Sequence, residues 1–295
     1  STQQKSRAEL FLKLSELSGG KMPVALRYYA AHTGRFGGDH KTNFQNLPSK
    51  GAGAELRHSL VAPKGHVVMA VDSANIEARV LAWLTKEESI LKPIIAGDDV
   101  YAKMASLIFQ KPVTKEQHPT ERFIGKVCVL GLGYGMGAER FRNTLASGSA
   151  GKAMEISRKE AIRIVSLYRK SIPNTTRFWT TLNEAISNMN NPPNNYKICD
   201  LLPLEFNAIR LPNGLRLRYP GLYLNRQDNN PHINGTEYSN WVYGIGSQKL
   251  YGGALCENIV QALAKIIVCD QMLEIDKRLR SIGGAVVLMV HDEIV

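Results

Sequence analysis

Two apolar runs of strand length end on carboxylates, and more than two hundred residues separate them. Val67 to Val71 leads into Asp72, and Ala285 to Val290 leads into His291, Asp292 and Glu293. β-Branched runs of this length read as strands of a buried type. If the two strands are sheet neighbours, about 4.8 Å apart, the carboxylates of Asp72 and Asp292 meet although the chain separates them widely. Such a pair can share two Mg²⁺ ions roughly 3.5–4 Å apart, with water and substrate phosphates filling the open positions. An aspartate that closes a strand is also an ordinary turn or cap residue.

Between the two strands the pattern is mostly helical. Lys5 to Leu17 has apolar positions at helical spacing and stops at Ser18-Gly19-Gly20, and Gly34 to Gly53 reads as an extended, loop-rich stretch. Helices are expected over Ile76–Leu84, Val100–Phe109, Glu121–Leu130, Ser157–Arg169 and Asn174–Met189. From Asn190 to Gly253, Pro, Asn and Gly punctuate short alternating runs such as Leu215 to Tyr219, with Pro212-Asn213-Gly214 as a hairpin turn. That section reads as a small β insertion. A long helix from about Leu255 to Leu279 then precedes the Ser281-Ile282-Gly283-Gly284 break. The sum is an α+β chain without internal repeat or low-complexity tract. Its 295 residues and 44% hydrophobic content suffice for one large domain or two ordinary ones.

Charge narrows the partners. The net charge of +11 is concentrated: residues 1–70 hold ten Lys/Arg against four Asp/Glu, and residues 121–180 hold eleven against four. Two basic segments suit a surface that follows phosphate backbones, although a solvated basic surface has the same composition. Cys128, Cys199, Cys256 and Cys269 have neither zinc spacing nor the look of a disulfide framework, so reduced thiols are expected. No continuous apolar run approaches the roughly 18 residues that cross a bilayer, and the N-terminal residues lack the apolar core of a signal peptide. A cytoplasmic protein with no membrane partner is the expectation.

A third element lies between the carboxylates. In Arg122-Phe-Ile-Gly-Lys126-Val-Cys-Val-Leu130-Gly-Leu-Gly-Tyr134-Gly135, residues 122, 126, 130 and 134 form a slowly drifting helical stripe, with about 6 Å of rise between members. Two cations, an apolar side chain and an aromatic ring match the order of a nucleoside triphosphate: phosphates, sugar, base pair. An amphipathic helix with two solvated cations gives the same spacing.

In order and approximate spacing, the three elements together resemble those of the family A DNA polymerases, closest to the bacteriophage type. Asp72-Ser73-Ala74-Asn75-Ile76-Glu77-Ala78-Arg79 resembles the family's motif A, Arg122 to Gly135 its motif B, and Val290-His291-Asp292-Glu293 its motif C. Thr33-Gly34-Arg35 and Asn43 to Pro48 look like the primer-template segment, and Glu257 to Gln261 like the stretch before motif C that touches DNA. The resemblance covers essentially the whole chain.

It implies a right-hand palm, an antiparallel sheet with helices, joined to a mainly helical fingers subdomain. The implied parts are residues 1–90 as the thumb junction and first part of the palm, 91–190 as fingers, and 191–295 as the remaining palm with its β insertion. The implied activity is template-directed extension of a DNA primer with dNTPs by a nucleotidyltransferase using two Mg²⁺ ions. Asp72 and Asp292 would hold the metals, with Glu293 accessory. Arg122 and Lys126 would bind the triphosphate, with Leu130 beside the sugar, and Glu77 with Tyr134 would form a gate against a ribose 2′-OH. Arg35, Gln45, Asn46 and Gln261 would touch the DNA, with His291 supporting the primer end. Primer-template DNA and dNTPs are the implied partners, a helicase, primase or processivity factor are further candidates, and the phage-type likeness points to the infected bacterial cytoplasm.

The chain also departs from the family. Ala74 replaces the motif A serine, with Ser73 one place earlier. Leu130 replaces an aromatic, and Tyr101 stands where bacterial members often have a phosphate-binding histidine. Asn258 is one residue nearer to Gln261 than in bacterial members, so no role is carried onto it. Relative to the family pattern, the chain reads as a fragment lacking an exonuclease domain and the strand and helix after motif C. Three rivals remain. A dinucleotide-binding enzyme could be read from Gly133-x-Gly135-x-x-Ala138, but Asp72 and Asp292 would then be unexplained. A single-subunit RNA polymerase shares the aspartates and the Lys/Tyr-Gly helix, and Glu77 argues against it. A DNA-binding module without catalysis would not need the carboxylates and cations this chain retains.

Overall fold

A computed structural model describes residues 2–39, 43–48, 54–225 and 240–295. In chain order its elements are α1 (Thr2–Leu17), β1 (Leu26–Arg27), β2 (Gly37–Gly38), α2 (Ala54–His58), β3 (Val71–Asp72), α3 (Ile76–Thr85), α4 (Glu88–Ile95), α5 (Val100–Phe109), α6 (Pro119–Gly131), α7 (Ala138–Ala146), α8 (Arg158–Ser171) and α9 (Pro173–Asn188). Six short strands follow: β4 (Leu204–Glu205), β5 (Ala208–Arg210), β6 (Arg216–Arg218), β7 (Tyr223–Leu224), β8 (Trp241–Tyr243) and β9 (Gln248–Leu250). Then come α10 (Gly252–Arg280), β10 (Met289–Val290) and β11 (Glu293–Ile294). The chain forms two compact units, residues 1–74 with 264–295 and residues 75–263, so that the division falls within α10.

The first unit carries an antiparallel sheet of order β10-β11-β3. Phe11 of α1 packs on Phe44 with ring centroids 5.3 Å apart, and Leu47, Met22, Leu56, Leu60 and Leu288 complete this small core. The expected strands over Val67–Val71 and Ala285–Val290 are shorter here, because each pairs only where a partner exists. β11 offers two residues to β3, so Val71 and Asp72 pair, whereas Val67 and Met69 stay 82% and 68% exposed. On the other side, Val287 and Leu288 continue the β10 direction by donating to the Val295 carbonyl at 2.8 and 3.2 Å.

The second unit is built on a helical core in which Met104, Ile108, Ile124, Cys128, Leu132, Phe141, Ile164 and Tyr168 are all buried. α5 and α6 approach unusually closely. A Cβ on Gly125 would stand 2.2 Å from the Tyr101 carbonyl oxygen, so only glycine permits this crossing. α9 starts with Pro173 and lacks a side-chain cap of its own. The buried Glu87 carboxylate supplies one by accepting from the amides of Asn174 at 2.9 Å and Thr175 at 3.1 Å, where an anion also complements the helix dipole.

The expected β insertion forms two antiparallel three-stranded meanders, β4-β5-β6 and β7-β8-β9, and Pro212-Asn213-Gly214 turns the chain between β5 and β6, with Gly214 at φ +81°. Over 18 residues, α10 is long and apolar enough to cross a membrane by composition, although Glu257 and Lys265 break any continuous apolar run. More than half of that window is packed inside the protein, and Leu255, Cys256, Ile259, Val260 and Leu263 are buried, as in a core helix.

Candidate functional site

In the first unit the carboxylates converge. Asp72 ends β3 opposite Glu293 of β11, and Asp292 lies one residue back, in the two-residue turn that His291 opens in a left-handed conformation, φ +56°. The Ser73 amide donates to the Asp292 carbonyl at 3.0 Å, fixing the turn against the end of β3. Partial burial and the neighbouring charges of Asp292 and Glu293 raise the Asp72 carboxyl above the ordinary aspartate range. A cluster that disfavours the ionised form of one of its own members is one that a divalent cation relieves, and hard oxygen donors are what Mg²⁺ takes. Among the described residues no group of three or more His, Cys, Asp or Glu forms a ready-made metal cage. Asp72 and Asp292 could hold such an ion.

Arg57 of α2 is part of this cluster although no sequence pattern singled it out. Its guanidinium lies 3.4 Å from Glu293 Oε1 and balances one of the three negative charges. The Gln45 amide donates to the Met289 carbonyl at 3.2 Å, which ties the Asn43–Pro48 segment to β10, while Asn46 is exposed. Ser73 Oγ donates to Gln271 Oε1 at 3.3 Å, and the Arg35 carbonyl accepts from Ala30 at 3.0 Å.

The second unit carries the cations and the candidate gate. Arg122, Lys126 and Leu130 follow one another along α6 as the stripe required, and Leu130 is 44% exposed. Lys126 is half-buried with no hydrogen bond or ion pair among the described residues. Tyr134 departs from the expected line. The α-helix ends at Gly131, and residues 132–134 form a 3₁₀ turn closed by Gly135 at φ +79°. Three residues per turn instead of 3.6 turn the ring away from the stripe, and its hydroxyl donates to Glu77 Oε2 at 3.5 Å. The motif A glutamate and the motif B tyrosine thus meet, over a long hydrogen bond.

Asp99, also absent from the sequence expectations, anchors Arg122. Its Oδ1 accepts from the amides of Tyr101 at 3.0 Å and Ala102 at 3.1 Å, capping α5, and its Oδ2 accepts from Arg122 Nε at 2.5 Å. Burial alone would raise this carboxyl, but the Arg122 bond and the two amides outweigh it and hold it below the ordinary range. Asp99 directly precedes a helical run, which was the one signal in the sequence of a cap. Its second bond, 23 residues away, left none.

Gln261 donates to Glu257 one turn earlier on α10 at 3.1 Å. Asn258 donates to the buried Tyr219 hydroxyl at 3.1 Å, a packing role in keeping with the one-residue offset of that segment.

Residues 4–191 match the family profile described as DNA polymerase family A. The chain is 28% identical over 254 residues to a DNA polymerase of Bacillus phage SP02, covering 81% of this chain and 37% of that protein. It is 25% identical over 277 residues to the thermostable DNA polymerase I of Thermus thermophilus, covering 93% of this chain and 28% of that one. The chain therefore spans well under half the length of these curated relatives. Among solved structures, the POL domain of Pol1 from M. smegmatis, in complex with DNA primer-template and dNTP, superposes with a TM-score of 0.71 at 22% identity, over 99% of this chain and 44% of that one. At that identity the likeness is one of fold.

Proposed function

The chain belongs to DNA polymerase family A, and from that membership we propose that it is the palm and fingers core of a template-directed DNA polymerase, extending a DNA primer with dNTPs. The observation that carries the reading is the convergence of Asp72, Asp292 and Glu293 at one sheet edge, with a charge cluster that already disfavours the ionised Asp72.

Asp72 and Asp292 are the groups that would hold two Mg²⁺ ions, and Glu293, balanced by Arg57, is their accessory. When bound, the ions stabilise the charge that develops on the attacking and leaving oxygens of phosphoryl transfer. The protein contributes binding and orientation. Lys126 and Arg122 take the triphosphate, and the Lys126 ammonium has no ion pair among the described residues to give up. The Tyr134 to Glu77 contact occupies the space a 2′-OH would need, so deoxyribose is accepted and ribose refused. Leu130 lines the sugar. Arg35, Gln45, Asn46 and Gln261 contact the primer-template, His291 supports the primer end, and the basic residues of 1–70 and 121–180 supply non-specific phosphate attraction. Under this reading residues 1–90, 91–190 and 191–295 serve as first palm segment, fingers and second palm segment.

The test is primer extension by a polypeptide containing this chain, with dNTPs or rNTPs and with Mg²⁺ or a chelator. Template-dependent, Mg²⁺-dependent use of dNTPs is expected. Equal use of rNTPs would reassign the chain to RNA synthesis, and DNA binding without extension would make it a binding module.

A further inference from the structure

We propose that Asp99 and Tyr101 are positioning residues that hold the Arg122 guanidinium in place for the terminal phosphates of the nucleotide. The identity of that ligand rests on the polymerase reading above. The geometry is that of a clamp with each contact on a different part of the group. Asp99 Oδ2 takes the Nε edge of Arg122 at 2.5 Å, and the Tyr101 ring lies beneath the guanidinium carbon at 5.4 Å from the ring centroid. The two terminal amino groups, the fork that grips a phosphate in bidentate fashion, hold no hydrogen bond among the described residues.

The clamp is itself held. Asp99 Oδ1 is fixed by two α5 amides, and the Tyr101 hydroxyl donates to Asn75 Oδ1 at the start of α3. Asn75 takes the left-handed conformation there, φ +55°, and makes no side-chain cap, so its side chain is committed to Tyr101 instead. Three helices, α3, α5 and α6, are thereby tied to one guanidinium. A side chain with several rotatable bonds, fixed before the ligand arrives, pays less ordering entropy on binding. Tyr101, a departure from the family's usual histidine, thus acts here through its ring face and its hydroxyl.

A double-mutant cycle tests this. Asp99→Asn keeps the α5 cap but removes the charge, and Asp99→Ser repeats the change with a different capping group. Each is made in the wild-type and Arg122→Ala chains. Calorimetry with inorganic tripolyphosphate reads binding without requiring catalysis, and extension kinetics read KM for dNTP. In the wild-type background Asp99→Asn should weaken tripolyphosphate binding and raise KM by about tenfold, with a smaller change in kcat. In the Arg122→Ala background it should change neither. Tyr101→Phe should have part of the effect, and Tyr101→Ala all of it. Unchanged affinity in Asp99→Asn and Asp99→Ser, equal losses with and without Arg122, or no tripolyphosphate binding by the wild-type chain would each overturn the inference. A chain that binds tripolyphosphate through Asp99 and Arg122 but never extends a primer would keep the clamp and sink the polymerase reading. Extension that is indifferent to Asp99 would do the reverse.

Discussion

Asp72 and Glu293 stand opposite each other in the pairing of β3 with β11, and Asp292 adjoins them in the turn, so three carboxylates share one edge of a three-stranded sheet. Like charges so close repel one another, and the cost to the fold is measurable.

With its pKa raised in the folded protein, Asp72 favours folding only below that pKa, and this contribution is lost as pH rises and the carboxyl ionises beside its neighbours. At neutral pH, without divalent metal, Asp72→Asn should therefore melt higher than wild type by about 1–2 °C, a small shift because the group is exposed. The difference should shrink as pH falls into the carboxylate range. Added Mg²⁺ should raise the melting temperature of wild type and not of the variant, while nucleotide addition by Asp72→Asn is abolished. A variant that still extends primers would remove Asp72 from the chemistry.

Lys126→Ala should act on nucleotide use. Under the proposed role of Lys126 in holding the triphosphate, its removal should lower kcat/KM for dNTP by about 10²–10³-fold while DNA affinity changes little. Steady-state kinetics beside a DNA-binding titration separate the two, and a loss confined to DNA affinity would move Lys126 to the template surface.

Glu77→Ala should open the gate. Relative use of rNTPs over dNTPs should rise by about tenfold or more, equivalent to about 1.4 kcal/mol of differential transition-state binding. Competition between matched nucleotides checks it, and unchanged selectivity would leave Glu77 as a helix carboxylate that merely meets Tyr134.

The Asp99 to Arg122 pair should appear in acid. A carboxyl held below its ordinary range stabilises the fold above its unfolded pKa and loses that contribution as pH falls through the folded value. Wild type should thus melt above Asp99→Ala at neutral pH, and the gap should begin to narrow near the ordinary aspartate pKa, about 4, and close only further into acid, where the folded carboxyl is protonated as well. A gap that persists into strong acid would assign the loss to the cap alone.

Gly125→Ala tests the α5–α6 crossing. The added methyl meets the Tyr101 carbonyl and must force the helices apart, at about 1–3 kcal/mol, or a melting temperature lower by roughly 3–10 °C. Because Tyr101 and Arg122 lie on the two displaced helices, KM for dNTP should rise as well.

Helices were the most legible part of the sequence. Val100–Phe109 was expected to the residue, since its apolar positions repeat at helical spacing. The strands beside Asp72 and Asp292 were located but drawn too long, because an apolar run records a tendency to pair while the length of the ladder depends on a partner far away in sequence. α4 was missed because Pro93 lies inside it, and α7 because its polar Glu139-Arg140 and Arg142-Asn143 pairs leave only Phe141 and Leu145 buried. At the candidate site the motifs singled out Asp72, Lys126 and Asp292, and of these the structure brings Asp72 and Asp292 to adjoining strand ends. Arg57 and Asp99 stayed hidden, since an ion pair closed across tens or hundreds of residues has no spacing to reveal it.

The turn at His291 has a consequence for how this chain can vary over descent. β10 and β11 are joined by two residues with no slack, and the side-chain period of a strand is two. One residue gained or lost between Val290 and Glu293 would swap the two faces of β11, sending Glu293 inward and the buried Ile294 to the surface. A change of length is therefore costly here at a single step, and the left-handed backbone at residue 291 by itself disfavours β-branched side chains more than Asn, Asp or Gly. The hairpin at 212–214 is held by the same rule through the buried Ile209 and Leu217, which face each other across β5 and β6, but it carries none of these carboxylates.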